Sequence, residues 1–113
     1  DGKVKIGALD GIVRDRIRMA MNGHAIVSVV IEDDEMLGEP WVDLMGLPEI
    51  GTSNAPLSDV LEEDLSQMIG RASRRTLGDD DELEDEIRKA VRRSADEEIG
   101  KKPEVTVVIS RLS

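Results

Sequence analysis

The chain has 113 residues, a formal net charge of −10 and no cysteine. This length suits one domain with a single core, and the lack of cysteine excludes disulfides and thiolate chemistry. Hydrophobic residues make up 39% of the chain but aromatic ones only 1%, so the predicted core is aliphatic and Trp41 is the only aromatic residue. The acidic balance repels phosphate chains on average and argues against nucleic acid as an obvious partner.

The sequence also indicates where the protein is located and whether it is part of a longer chain. No apolar run approaches the roughly 18 to 20 residues that span a bilayer, and no basic-then-apolar leader opens the chain. We therefore expect a soluble, cytoplasmic protein. Because the first residue is Asp1, we expect a piece of a longer protein, with residues 1–11 as a linker or the end of a preceding domain and residues 12–113 as one α+β domain.

The first predicted element is a short helix in "VRDRIRMAMNG", residues 13–23. Val13, Ile17 and Met21 recur at helical spacing, and Asn22-Gly23 is a common helix stop. The apolar residues from Ile17 onward also alternate with polar or small ones, and Asn-Gly is a hairpin turn signal. A strand therefore stays open as the alternative for this segment.

Three strands are predicted further along the chain. Residues 24–32, "HAIVSVVIE", form a nearly continuous β-branched run. After a polar turn, in residues 41–47, "WVDLMGL", the set Trp41, Asp43 and Met45 alternates with Val42 and Leu44. We predict that these two strands pair antiparallel. A third strand, residues 105–109, follows the helix-ending Lys101-Lys102-Pro103.

Two long helices are predicted between the second and third strands. An apolar stripe runs from Leu57 to a stop at Gly78, and a second stripe runs to Gly100 after Asp79 and Glu82, which have capping-box spacing. A connection of one or two residues predicts an antiparallel arrangement. The predicted fold is α+β: a three-stranded β-sheet packed against an antiparallel pair of α-helices, with a short N-terminal helix.

Catalytic signals are weak in this sequence. His24 is the only imidazole, it opens a strand, and no nucleophile and base complete a triad with it. No glycine-rich phosphate loop is evident. The acidic run at residues 79–86 is interpreted as a dipole-matched helix start, because Leu83 and Glu84 stand where a calcium loop needs a ligand and a glycine.

One basic cluster is a candidate partner-binding site. Arg71, Arg74 and Arg75 have i, i+3, i+4 spacing, which on one helix places three guanidinium groups on a common face. Such a face fits an acidic partner surface or a phosphate backbone. The simpler interpretation is that basic residues near helix C-termini complement the helix dipole.

Two further features concern packing. Gly70 lies within a predicted helix at a cost of about 1 kcal/mol relative to Ala, so either a close approach uses it or it is merely tolerated. Sheet edges and the methionine-bearing stripes are candidate self-association surfaces. The methionines concerned are Met19, Met21, Met45 and Met68.

Taken in order, "VRDRIRMAMNGHAIVSVVIEDD", "PWVDLMGLPE", the two helices and "GKKPEVTVVISRL" resemble the C-terminal domain of ribonuclease J, a bacterial metallo-β-lactamase, β-CASP ribonuclease. The resemblance covers roughly residues 9 to 112. It is carried by Arg14-Asp15-Arg16 ahead of Gly23 and by Lys101-Lys102-Pro103 ahead of the last strand. Many members have Ser-Arg-Gly-Phe where this chain has Leu44-Met45-Gly46-Leu47, so only Gly46 matches there.

The resemblance implies that catalysis and assembly belong to different domains of the parent protein. In the parent, a dinuclear site, usually zinc, in the β-lactamase domain hydrolyses RNA, whereas this piece holds no catalytic residue, metal or cofactor. It would support dimer or tetramer assembly and full activity. The implied partners are a second copy, its own catalytic core and other RNA-decay proteins, with RNA contacted through the parent and no membrane. The alternative hypothesis is a stand-alone adaptor that binds another protein through a sheet edge or the arginine face.

Overall fold

The structure is a computed structural model that describes residues 22–112. The predicted linker and, except for Asn22 and Gly23, the predicted N-terminal helix or strand lie outside these residues. The described elements confirm an α+β fold. In chain order they are β1 (His24–Glu32), β2 (Glu35–Met36), β3 (Trp41–Met45), α1 (Leu57–Arg71), α2 (Arg74–Leu77), α3 (Asp80–Ile99) and β4 (Glu104–Leu112).

Strand β1 is the centre of a mixed sheet. It pairs antiparallel with β3, as predicted, and with β2 on the same edge. On its other edge it pairs parallel with β4 along its whole length, from His24 opposite Glu104 to Glu32 opposite Leu112. The C-terminal run therefore completes the sheet, as the sequence indicated.

The described sheet has four strands, so the predicted count of three is wrong. The additional strand is β2, which has only two residues and follows a tight turn. Asp33 and Asp34 in that turn have φ angles of 53° and 58°, and positive values at both central residues match the twist of a two-residue hairpin. The turn therefore places β2 directly beside the end of β1.

The core lies between the sheet and the helices and is aliphatic, as predicted. Every second residue of β1 is buried, because alternate side chains point to one face of the sheet. The apolar stripes of α1 and α3 cover that face. The fully buried members include Val27, Val29, Ile31, Leu57, Leu61, Leu65, Leu83, Ile87 and Val91.

The first long helix is shorter than predicted. It ends at Arg71 rather than at Gly78, because Ala72 and Ser73 adopt extended backbone. The Ser73 hydroxyl accepts a 3.1 Å hydrogen bond from the Thr76 N–H and so caps the separate turn α2. Residues 72–79 connect the two long helices, and the predicted connection of one or two residues is wrong.

The second long helix begins and ends as predicted. Asp79 accepts a 3.1 Å hydrogen bond from the Glu82 N–H, and Gly100 ends the helix in the left-handed conformation at φ 68°. The Thr52 N–H, ahead of α1, donates a 2.9 Å hydrogen bond to the Glu98 carbonyl near the end of α3. This contact places the end of α3 beside the start of α1, so the two long helices are antiparallel, as predicted.

Candidate interaction surfaces

The sheet face opposite the helices is uncovered by the described residues, and we call it the outer face. It consists of alternate residues of β1, flanked by alternate residues of β3 and β4. The members are His24, Ile26, Ser28, Val30 and Glu32 of β1, Glu35 of β2, Trp41, Asp43 and Met45 of β3, and Glu104, Thr106, Val108, Ser110 and Leu112 of β4. The alternation of β3 divides it into the exposed set Trp41, Asp43 and Met45 and the more buried set Val42 and Leu44.

The middle of the outer face is uncharged and partly apolar. Trp41 and Val108 lie opposite Ser28 from its two sides, and their side chains are 68% and 46% exposed. The acidic residues of this face lie toward both ends of the strands, with Asp43 and Glu104 at one end and Glu32 and Glu35 at the other. An apolar centre with charges toward the margin is the usual anatomy of a protein–protein interface.

His24 takes part in a polar contact on the outer face. Its Nε2 lies 2.7 Å from the Thr106 hydroxyl across the β1 and β4 pair. This contact ties the start of the central strand to the C-terminal strand. A structural hydrogen bond therefore accounts for the only imidazole of the chain.

A side chain from α1 covers part of one sheet edge. The Glu62 carboxylate accepts a 3.0 Å hydrogen bond from the Val42 N–H, which β1 does not use. A covered N–H cannot recruit a further strand. The opposite edge of the sheet is formed by β4, and no strand among residues 22–112 pairs with the outer side of β4.

The three predicted partner-binding arginines do not share one helix. Arg71 is the last residue of α1, whereas Arg74 and Arg75 belong to α2. Arg74 donates to the Asp33 carbonyl at 3.2 Å, and Arg75 lies 3.4 Å from the Glu82 carboxylate. The predicted common face is therefore broken by the extended residues between the helices, and a partner-binding role for the three arginines stays a prediction.

The methionine-bearing stripes divide between surface and core. Met45 is on the outer face and about half exposed, whereas Met68 packs against the core. Met19 and Met21 lie outside the described residues. Of the four candidates for self-association, only Met45 is thus shown at an uncovered surface.

A cleft that the sequence reasoning missed joins α3 to the start of the last strand, and we call it the basic cleft. Its volume is about 310 Å³, and it is lined by Lys89, Arg92, Arg93, Asp96 and Lys102. Arg92 donates a 2.8 Å hydrogen bond to the Pro103 carbonyl, which fixes its guanidinium against the returning chain. Lys89, Arg92 and Arg93 have helical i, i+3, i+4 spacing, so the sequence could indicate these three, whereas Lys102 reaches this side of the helix only through the turn at Gly100.

One cation of the basic cleft is partly neutralised. The Lys89 ammonium lies 3.0 Å from the Asp85 carboxylate, one helical turn earlier. That hydrogen bond, with the charges of Asp85 and Glu86, raises the pKa of Lys89 above its ordinary value. Lys89 therefore carries its charge at neutral pH but shares it with a neighbour.

Two absences apply to the part of the chain that the structure describes. Residues 22–112 contain no group of three or more His, Cys, Asp or Glu side chains arranged to hold a metal ion. None of their helices combines the length and the apolar character needed to cross a membrane.

Residues 22–112 form a two-layer α+β domain in which the described residues leave one sheet face open. Residues 11–112 match the family described as the Ribonuclease J C-terminal domain, and the chain belongs to this family. It is 34% identical over 104 residues to Ribonuclease J of Sinorhizobium meliloti (strain Sm2011 / Rm2011 / 2011). That alignment covers 88% of this chain and 18% of the relative, so the chain spans about a fifth of the relative's length.

Proposed function

We propose that this chain is the non-catalytic C-terminal domain of a ribonuclease J-like enzyme and that it supports assembly of the enzyme by binding a second copy through the outer face. The parent would degrade and process RNA as a metal-dependent exonuclease and endonuclease, with zinc in its catalytic part. The family membership and the relative's name support the parent's activity. Assembly would in turn support full activity.

The observation that carries the assembly role is the uncharged middle of the outer face. A tryptophan at 68% exposure and a half-exposed valine, on either side of Ser28, are unfavourable in water and favourable at an interface core. Tryptophan is among the residues that supply most of the binding energy when a partner covers them. The acidic residues toward the two ends of the strands would then stay solvated at the rim.

A second copy suits this face better than a partner of complementary charge. In a two-fold interface the same patch meets itself, so a charged centre would bring like charges together. The row formed by Trp41, Ser28 and Val108 has no charge to repel its own copy. The rest of the chain carries a net charge of −10, so two copies repel at long range and salt should strengthen the association.

Sedimentation equilibrium of this chain over a wide concentration range tests the proposal. We expect a concentration-dependent dimer that becomes tighter with added salt. Trp41 is the only aromatic residue, so its fluorescence should shift to shorter wavelength as the dimer forms. Val108→Glu should abolish both signals, whereas Ile50→Glu, at an exposed apolar residue away from the outer face, should leave them unchanged.

Other results would redirect the assignment. A strict monomer at all concentrations and salt levels would remove the self-association role. An equal loss in both variants would show that added charge, rather than the outer face, controls association. A monomer that binds a different protein through the sheet edge would favour the stand-alone adaptor.

A further inference from the structure

We propose that the basic cleft binds the phosphate backbone of single-stranded RNA, so that the domain contributes an RNA contact of its own. The choice of RNA rests on the proposed function, whereas the site rests on the cleft itself. The cleft brings four cationic side chains and one carboxylate around a single opening. This inference revises the expectation, based on average charge, that RNA is contacted only through the parent.

The charge around the cleft is opposite to the charge of the whole chain. Residues 85–102, which include Asp85 and Glu86 beside Lys89, contain six basic and five acidic side chains, although the chain as a whole has 25 acidic and 15 basic ones. A phosphate close to a surface responds mainly to charges within about 10 Å at ordinary salt, because more distant ones are screened. The local excess of cations therefore determines binding at this surface.

The cleft has cations available for a ligand. Arg93 and Lys102 are exposed and form no hydrogen bond or ion pair within the described residues. Arg92 uses Nη1 for the Pro103 carbonyl, which leaves the other N–H groups of a fixed guanidinium for a phosphate. Lys89 adds a weaker contribution, because Asp85 already pairs with it.

The lining of the cleft favours a phosphate backbone over a protein segment. Among residues 22–112, no apolar or aromatic side chain lines it, whereas interfaces between proteins depend on such residues at their centre. Phosphate contacts need only cations and hydrogen-bond donors. The single carboxylate, Asp96, opposes anions and limits affinity, which suits a secondary contact along a longer RNA path.

Fluorescence anisotropy with a labelled oligouridylate of about twelve nucleotides tests the proposal on this chain. With three to four phosphate contacts on a single strand, raising salt from about 50 to about 200 mM should weaken binding by about 20- to 50-fold. The double variant Arg93→Glu with Lys102→Glu should weaken binding more than about tenfold at the lower salt. Arg71→Glu with Arg75→Glu makes the same change in net charge at the sequence-predicted cluster and should change binding less than about twofold.

Several results would overturn the proposal. These are no binding at low salt, binding that salt does not weaken, or equal losses in the two charge-matched variants. Oligoglutamate that binds as tightly as the RNA would indicate an acidic protein segment as the ligand. Thermal unfolding of each variant verifies that it is folded, and a monomeric chain that still binds RNA at the cleft would keep this inference while removing the assembly role.

Discussion

The hydroxyl of Ser94 on α3 donates a 2.5 Å hydrogen bond to the Asp64 carboxylate on α1. Ser94 is the one buried polar residue among those described, and Asp64 is half buried. This partly buried bond joins the two long helices. It satisfies a hydroxyl that would otherwise lie unpaired against the aliphatic core.

We expect Ser94→Ala to lower the free energy of unfolding by about 1 to 2 kcal/mol, because the Asp64 carboxylate loses its partner while still partly buried. Urea denaturation followed by circular dichroism measures the change. Ser66→Ala is the matched control, since the hydroxyl of Ser66 makes only a long 3.4 Å contact with Glu39 at the surface. Equal losses in the two variants would contradict a specific role for the bond between the helices.

Replacing Gly51 and Gly70 by alanine should change the stability of the domain in opposite directions. A Cβ at Gly51 would lie 2.6 Å from the Glu98 carbonyl oxygen, so Gly51→Ala should destabilise the domain by about 1 to 3 kcal/mol. A Cβ at Gly70 would meet no atom within 4 Å, so Gly70→Ala should stabilise it by about 0.5 to 1 kcal/mol through helix propensity. Thermal unfolding of the pair checks both signs, and a destabilised Gly70→Ala would point to a close approach there.

Asp79 caps the longest helix of the domain. We expect Asp79→Ala to cost about 1 kcal/mol of stability, because the Glu82 N–H loses its acceptor at the first turn. Asp79→Asn keeps a side-chain oxygen at the same place and should retain most of the stability. The comparison is made by chemical denaturation, and an asparagine variant as unstable as the alanine variant would assign the effect to charge instead.

The covered edge of β3 predicts a local change in hydrogen exchange. In Glu62→Ala the Val42 amide loses its acceptor, so it should exchange with solvent faster by at least several-fold. Glu62→Gln retains an oxygen acceptor and should protect the amide. Amides in the middle of α3 serve as the internal reference, since their acceptors lie within that helix. Faster exchange of those amides as well would indicate global destabilisation rather than an opened edge.

Local sequence signals predicted those parts of the fold that depend on neighbours in the chain. The β-branched run of β1, the apolar stripes of the helices and the Asp79 and Gly100 caps act over one or two turns, and each was found where it was predicted. The end of α1 was not, because Ser73 offers its hydroxyl to the Thr76 N–H and stabilises a new turn in place of a continuing helix. Gly70, near that end, has low helix propensity and does little to extend α1 beyond Arg71.

Sequence alone determined that this chain has an aliphatic core, two amphipathic helices and a C-terminal strand that needs a sheet, because side-chain periodicity records which residues avoid water. Tertiary structure decided where these pieces meet. Parallel pairing of β4 with β1 placed Val108 in line with Trp41, and the turn at Gly100 brought Lys102 back to Arg92 and Arg93. Both surfaces join residues that are distant in sequence, and periodicity does not record which strand or turn a residue will meet.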